Sequence, residues 1–303
     1  MGLLNFRRPV EMAPPVTGAV AALMRGFSLE VMPRTAEKIA DFRALLPLGT
    51  RVYVAHIDGT PIAEMVATAA RLHAEGMAPM PHFPARIIHN RAELADWVTR
   101  YRDVGVRQAL MLGGGVATPA GVYDNSMQLL ETGLFDGFDR LHVAGHPEGN
   151  RDIEPAGQDR VVMDALRWKQ EFARSTGVEM AIVTQFAFEA APIIAWGNRL
   201  REEGITLPVH LGVAGPAKLQ TLIKFAVACG VGPSLRVLQK RAKDVSKLLL
   251  PFEPTELVQA LAAHKSAHPD FAVDKLHVFP LGGIKASTDW TATHGGAAAR
   301  PAI

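Results

Sequence analysis

Glu30 is the residue whose presence most needs a chemical reason. It stands in FSLEVMPRT, within a run that otherwise reads as a buried strand. A lone buried carboxylate costs free energy unless it is paired, neutralised or used. It alternates in phase with Ser28 and Met32, so the three share one strand face. Facing inward it would be desolvated, which raises a carboxyl pKa and lets the group keep a proton for general acid catalysis. The competing reading is an ion pair with Arg34 or another barrel residue. Gln185 and Thr184 stand late in MAIVTQFAF. An amide among apolar residues bonds either neighbouring backbone or a ligand edge with donors and acceptors. His82, His142, His146 and His210 fall in or beside other β-rich runs. Clustered imidazoles can hold a metal, but there is no HxH pair and no HExxH helix, so hydrogen-bonded polar residues are favoured and no metal site is expected. Gly113, Gly114 and Gly115 close another run. They allow close approach of a ligand, but they are not GxGxxG and make a weak phosphate loop.

These residues must be positioned by regular elements. Eight β-rich runs are spaced along the chain, at 28–33, 51–57, 78–83, 108–114, 140–145, 180–186, 207–213 and 275–281. Amphipathic helical patterns lie between them, at 61–76, 91–105, 164–177, 190–204 and 216–230. Strict alternation argues a parallel sheet with helices outside, and eight units argue a closed (β/α)8 TIM barrel; an open doubly wound sheet is the alternative. The stretch 231–273 predicts two extra helices, at 232–250 and 254–268, before the last strand. One domain spanning 1–303 is expected, with a barrel core over 26–286, an N-terminal extension with a helix over 1–25 and a loose tail over 287–303. In such a barrel the chemistry sits at the C-terminal ends of the strands, where Glu30, His82, His146 and Gln185 fall.

The bulk composition excludes several classes. The chain has 303 residues, a formal net charge of +2 and no block of Lys and Arg, which leaves no argument for nucleic acid or a membrane surface. Its single cysteine, Cys229, cannot form an internal disulfide and reads as a buried small residue; a reducing cytoplasm fits. No apolar run reaches the ~18 residues of a membrane span, and the N-terminus is a poor signal peptide.

Taken in order, the motifs resemble those of methylenetetrahydrofolate reductase in its short bacterial form, over roughly 27–285. SLEVMPRT matches a first strand of the type FEFFPPRT; PHFP matches PHLT after strand three; VAGHPEGNRD matches VAGYPKGHPE; and VTQFAFE matches ITQFFFD. The resemblance implies reduction of 5,10-methylenetetrahydrofolate to 5-methyltetrahydrofolate, with FAD carrying hydride from NADH or NADPH. It implies Glu30 as the general acid, Gln185 as the residue bonding the pterin with Thr184 beside it, and His82 as a flavin contact. It also implies a small-molecule folate partner and a tendency to homo-oligomers. The departures fall on the flavin side. The family's LRGD becomes LGGG here, so Gly113 and Gly115 replace an arginine and an aspartate around Gly114. His146 replaces a tyrosine and Asn150 a histidine at FAD-holding positions. Gly283 replaces an arginine near the folate tail, with Lys285 two residues on as a substitute charge. Three readings follow: a reductase with FAD weakly held, a flavin-free reductase in which nicotinamide transfers hydride directly, and a folate-binding protein without redox activity. A metal-dependent barrel hydrolase is a distant fourth.

Overall fold

The computed structural model describes residues 18–150, 152–228, 238–239 and 251–296. Eight parallel strands close into a barrel in chain order. They are β1 (Ser28–Val31), β2 (Arg51–Val54), β3 (Ala78–Pro84), β4 (Gln108–Leu112), β5 (Arg140–Gly145), β6 (Ile182–Ala187), β7 (Val209–Ala214) and β8 (Val273–Phe279). The ring closes where Ser28 of β1 pairs with His277 of β8. Around it run α1 (Gly18–Met24), α2 (Pro33–Ala36), α3 (Ile62–Ala74), α4 (Arg91–Asp103), α5 (Ser126–Glu131), α6 (Arg160–Thr176), α7 (Ala190–Glu202), α8 (Leu219–Ala228), α9 (Thr255–Ala267) and α10 (Ile284–Thr293). This is the (β/α)8 barrel that the alternation predicts.

Side chains alternate along each strand, and the two faces part accordingly. Leu29 and Val31, Val52 and Val54, Leu141 and Val143, and Leu276 and Val278 join the helices in one continuous apolar core. The opposite phase turns Tyr53, Met80, Leu110 and Val183 into a separate cluster inside the barrel. The polar residues at issue share that inward phase, so the same alternation that builds the core collects Ser28, Glu30, His82, His142, His210 and His277 on the lumen side.

The C-terminal boundary differs from the expectation. The loose tail expected from 287 is helical through Thr293: α10 buries Ser287, Thr288, Trp290 and Thr291. The Trp290 indole N–H donates to Thr255 Oγ1 at 3.0 Å, tying α10 to α9. The small hydroxyl residues that look loop-like in sequence satisfy themselves on backbone carbonyls, as Thr291 does on Thr288. Of the two extra helices expected before the last strand, the second is α9; the first, over 232–250, lies outside the described residues except for Leu238 and Gln239, and Cys229 lies outside them too. Among the described residues no helix is long and apolar enough to cross a membrane.

Candidate functional site

Glu30 sits in register with Tyr53 of β2, near the C-terminal end of β1. Two imidazoles converge on its Oε2: His82 Nε2 from β3 at 3.4 Å and His277 Nε2 from β8 at 3.8 Å. Arg34 makes no salt bridge with it among the described residues; the contacts come from other barrel residues, the second partner class considered from sequence. On the far side of the His277 ring, Nδ1 lies 2.9 Å from Ser28 Oγ. Because a carboxylate faces Nε2, the ring proton belongs there, and the Ser28 hydroxyl donates to Nδ1. Tyr53 packs edge-on against His277 with ring centroids 4.4 Å apart.

This geometry corrects the expected protonation state. Burial is the largest single influence on Glu30 and would raise its pKa, but the close approach of His277 and His82 together outweighs it, and the pKa falls to about 2. Glu30 is therefore a carboxylate at neutral pH, beside two imidazole N–H groups. His82 Nε2, although buried, makes no formed hydrogen bond among the described residues. A buried donor in that state is ready for a ligand acceptor. Deeper in the lumen the Tyr53 hydroxyl and His142 Nδ1 are 2.5 Å apart, and the His142 and His210 rings meet edge to face at 4.8 Å. Alternation along β1 put Ser28 on the Glu30 face but gave no link to His277 or Tyr53. The signal was present: His277 alternates with Lys275 and Phe279 in KLHVFPL.

Gln185 and Thr184 are separated in role by a bulge. The β6–β7 register shifts between Val183 and Phe186. There the Thr184 hydroxyl takes the place of a ladder partner: it accepts from Gly212 N–H at 2.9 Å and donates to Gln185 O at 2.8 Å. Thr184 thus serves the backbone of the bulge, with both hydrogen-bonding functions used. Gln185 Oε1 accepts from Phe186 N–H at 3.2 Å, while its amide nitrogen has no partner among the described residues. Bulges re-aim side chains beside functional sites, and this one needs a glycine across from it. A Cβ on Gly212 would lie 2.5 Å from Thr184 O and 2.6 Å from Gln185 O, both backbone atoms. Gly212→Ala is expected to destabilise the protein by about 2–3 kcal/mol. A urea midpoint equal to that of the parent would show that the two strands part at little cost.

The residues assigned by resemblance to FAD come from β3 and from the loops after β4 and β5. Gly113 and Gly115 offer no side chain. Gly114 adopts a left-handed φ of +99°, and a Cβ there would stand 3.2 Å from Pro84 Cβ. The loop after β4 is pinned onto the loop after β3: Gly113 O accepts from Arg86 N–H at 2.9 Å, and Arg86 Nε donates to Asp124 O and Oδ1, each at 3.0 Å. Asn150 Oδ1 caps its own turn, accepting from Asp152 and Ile153 N–H at 2.9 and 3.3 Å. His146 is half-buried, and burial first, then the Lys169 charge, push its pKa down to about 4, so it carries no charge at neutral pH. His82 belongs to the Glu30 cluster. Lys285 lies in the first turn of α10, exposed and paired with Asp289 at 2.8 Å, apart from the Glu30 cluster in these contacts. Among the described residues no group of three or more His, Cys, Asp or Glu is arranged to hold a metal ion.

No protein-family model matches the chain. Among solved structures, it is similar over 88% of its length, and 95% of the other chain, to a Clostridium thermocellum protein whose structure is described as binding two copies of 5-methyl-5,6,7,8-tetrahydrofolic acid, at 8% identity and a TM-score of 0.54. It is also similar to a dihydropteroate synthase from Thermus thermophilus, over 88% of this chain and 91% of that one, at 13% identity and a TM-score of 0.45. What the first likeness shows is the fold: a (β/α)8 barrel.

Proposed function

We propose that this chain binds a reduced folate at the C-terminal mouth of its barrel and reduces a 5,10-methylene bridge to a 5-methyl group, with NADH or NADPH as the hydride source. The observation that carries this reading is the carboxylate of Glu30 held between the N–H groups of His82 and His277. In the reaction the bond from the methylene carbon to N10 breaks, and its electron pair goes to N10, which takes a proton. Hydride adds to the carbon, and the nicotinamide is oxidised by two electrons. Positive charge develops on the N5 side as that bond opens, and a fixed carboxylate in a water-poor lumen stabilises it. The proton on N10 comes from solvent and Glu30 passes it on; His277, whose pKa burial holds below its ordinary value, keeps its ring N–H and orients the carboxylate. Gln185 presents its unpartnered amide nitrogen to the pterin edge. Gly113 and Gly115 stand where the resembled family has an arginine and a flavin-side aspartate, and Asn150 Oδ1 is spent on its own turn, which favours direct transfer from nicotinamide as the route.

A second reading, a folate binder without redox activity, draws on the description of the Clostridium thermocellum neighbour as a methyltetrahydrofolate-binding protein. One experiment separates them. Purified protein is titrated calorimetrically with 5-methyltetrahydrofolate, then mixed with methylenetetrahydrofolate and NADH or NADPH while nicotinamide oxidation and methyl product are followed. Binding with turnover supports the reductase, binding alone supports the binder, and no binding overturns both. In the same titration Gln185→Ala is expected to weaken folate affinity about tenfold, the loss of one to two hydrogen bonds. Unchanged affinity would remove Gln185 from the site.

A further inference from the structure

The opposite pole of the barrel carries a concave site that the folate reading does not use. A cavity of about 580 Å³ opens at the N-terminal ends of β1, β2 and β8. It is lined by Arg25, Arg51 and Lys275, with Thr50, Gly49 and Gly295 among the remaining residues, and none of the described lining residues is acidic. The three cations come from the α1–β1 turn, the first residue of β2 and the inward phase of β8, so the fold gathers them from well-separated parts of the chain.

The neighbouring carboxylates are already engaged. Lys275 Nζ pairs with Asp274 at 2.7 Å, and Arg140 pairs with Glu179. Arg25 and Arg51 make no ion pair among the described residues. Arg51 is half-buried, and its Nε donates to a neutral amide oxygen, Gln108 Oε1, at 2.9 Å; the Arg140 guanidinium also donates to that oxygen, at 3.2 Å. Burial lowers the Arg51 pKa; Tyr53 and Glu179 oppose the shift and Arg140, a close like charge, adds to it. A half-buried guanidinium that shares one neutral acceptor with a second guanidinium is a charge short of a partner. Guanidinium forks are suited to oxyanions.

We propose that this cavity is a second ligand site, for a small polyanion bearing two or more negative charges on phosphate or carboxylate oxygens, with Arg51 at its floor and Arg25 at its mouth. The volume falls within the usual range of small-molecule pockets. The site lies at the pole away from Glu30, and its ligand is independent of the folate reading.

The test uses the full chain and two probes, inorganic pyrophosphate and citrate, titrated calorimetrically against a chloride control of matched ionic strength, with thermal midpoints measured in parallel. Saturable binding of at least one probe with a raised midpoint is expected. Binding of pyrophosphate alone would assign the site to phosphoanhydrides, and binding of citrate alone to polycarboxylates. Arg25→Glu changes an exposed residue outside the core and should weaken binding about tenfold or more; Arg51→Gln should do the same, and Gln185→Ala should leave it intact. No saturable binding beyond chloride, undiminished binding in Arg25→Glu, or loss of binding in Gln185→Ala would each overturn the proposal.

Discussion

Glu30→Gln is expected to cut methylenetetrahydrofolate turnover by about a hundredfold or more, the usual scale for losing a positioned proton-transfer group. Folate affinity is expected to change by less than about tenfold. Glutamine keeps the shape of the side chain and one acceptor oxygen for His82 and His277, which approach at 3.4 and 3.8 Å. It removes both the negative charge that steadies the opening ring and the ability to relay a proton. The effect should therefore fall on kcat rather than on KM. Parent-like turnover would end the proton-transfer role. An equal loss in kcat and affinity would make Glu30 a binding group. Ser28 gives the arrangement its direction, since its hydroxyl at 2.9 Å from His277 Nδ1 keeps the other ring nitrogen facing Glu30.

Acid is expected to unfold this protein well before it would titrate an ordinary surface. His142 and His210 are buried in the lumen. Burial is the first cause for both. The pKa of His142 lies well below 6.5, with His210, Arg51 and Arg140 adding to the effect, and that of His210 falls to about 2, with Arg51 and Lys275 adding. The unfolded chain takes up protons near 6.5 where the folded chain does not, so stability is full above that pH and falls as pH decreases through it. The slope is about 1.4 kcal/mol per pH unit for each histidine, so by pH 5 the pair has removed about 4 kcal/mol. Glu30 adds a further loss only lower, between its ordinary 4.5 and about 2, because its folded form holds the carboxylate. Urea unfolding at pH 7.5, 6 and 5 measures this directly. A flat unfolding free energy across that range would mean that the lumen admits protons without unfolding. His210→Leu should shallow the slope by one proton's worth.

The barrel itself was legible because two periodicities carry it. Alternation along KLHVFPL or SLEV marks strands with one face under helices and one face inward, and eight such runs divided by amphipathic helices leave few topologies other than the closed ring. The same reasoning placed Glu30 and Gln185 near the C-terminal ends of inward-facing strands. The sequence could not set the charge of Glu30. Its burial points toward a raised pKa, and only the approach of His82 from β3 and His277 from β8, residues 52 and 247 positions away, reverses the sign. Thr184 and Gln185 are adjacent in sequence and looked alike in purpose. The bulge opposite Gly212 gives one to the backbone and leaves the other an amide nitrogen without a partner among the described residues. Local pattern determines which face a side chain takes, because that depends on neighbours along the strand. Protonation and hydrogen-bond partnership depend on groups brought in across the ring, and those distances exist only once the barrel has closed.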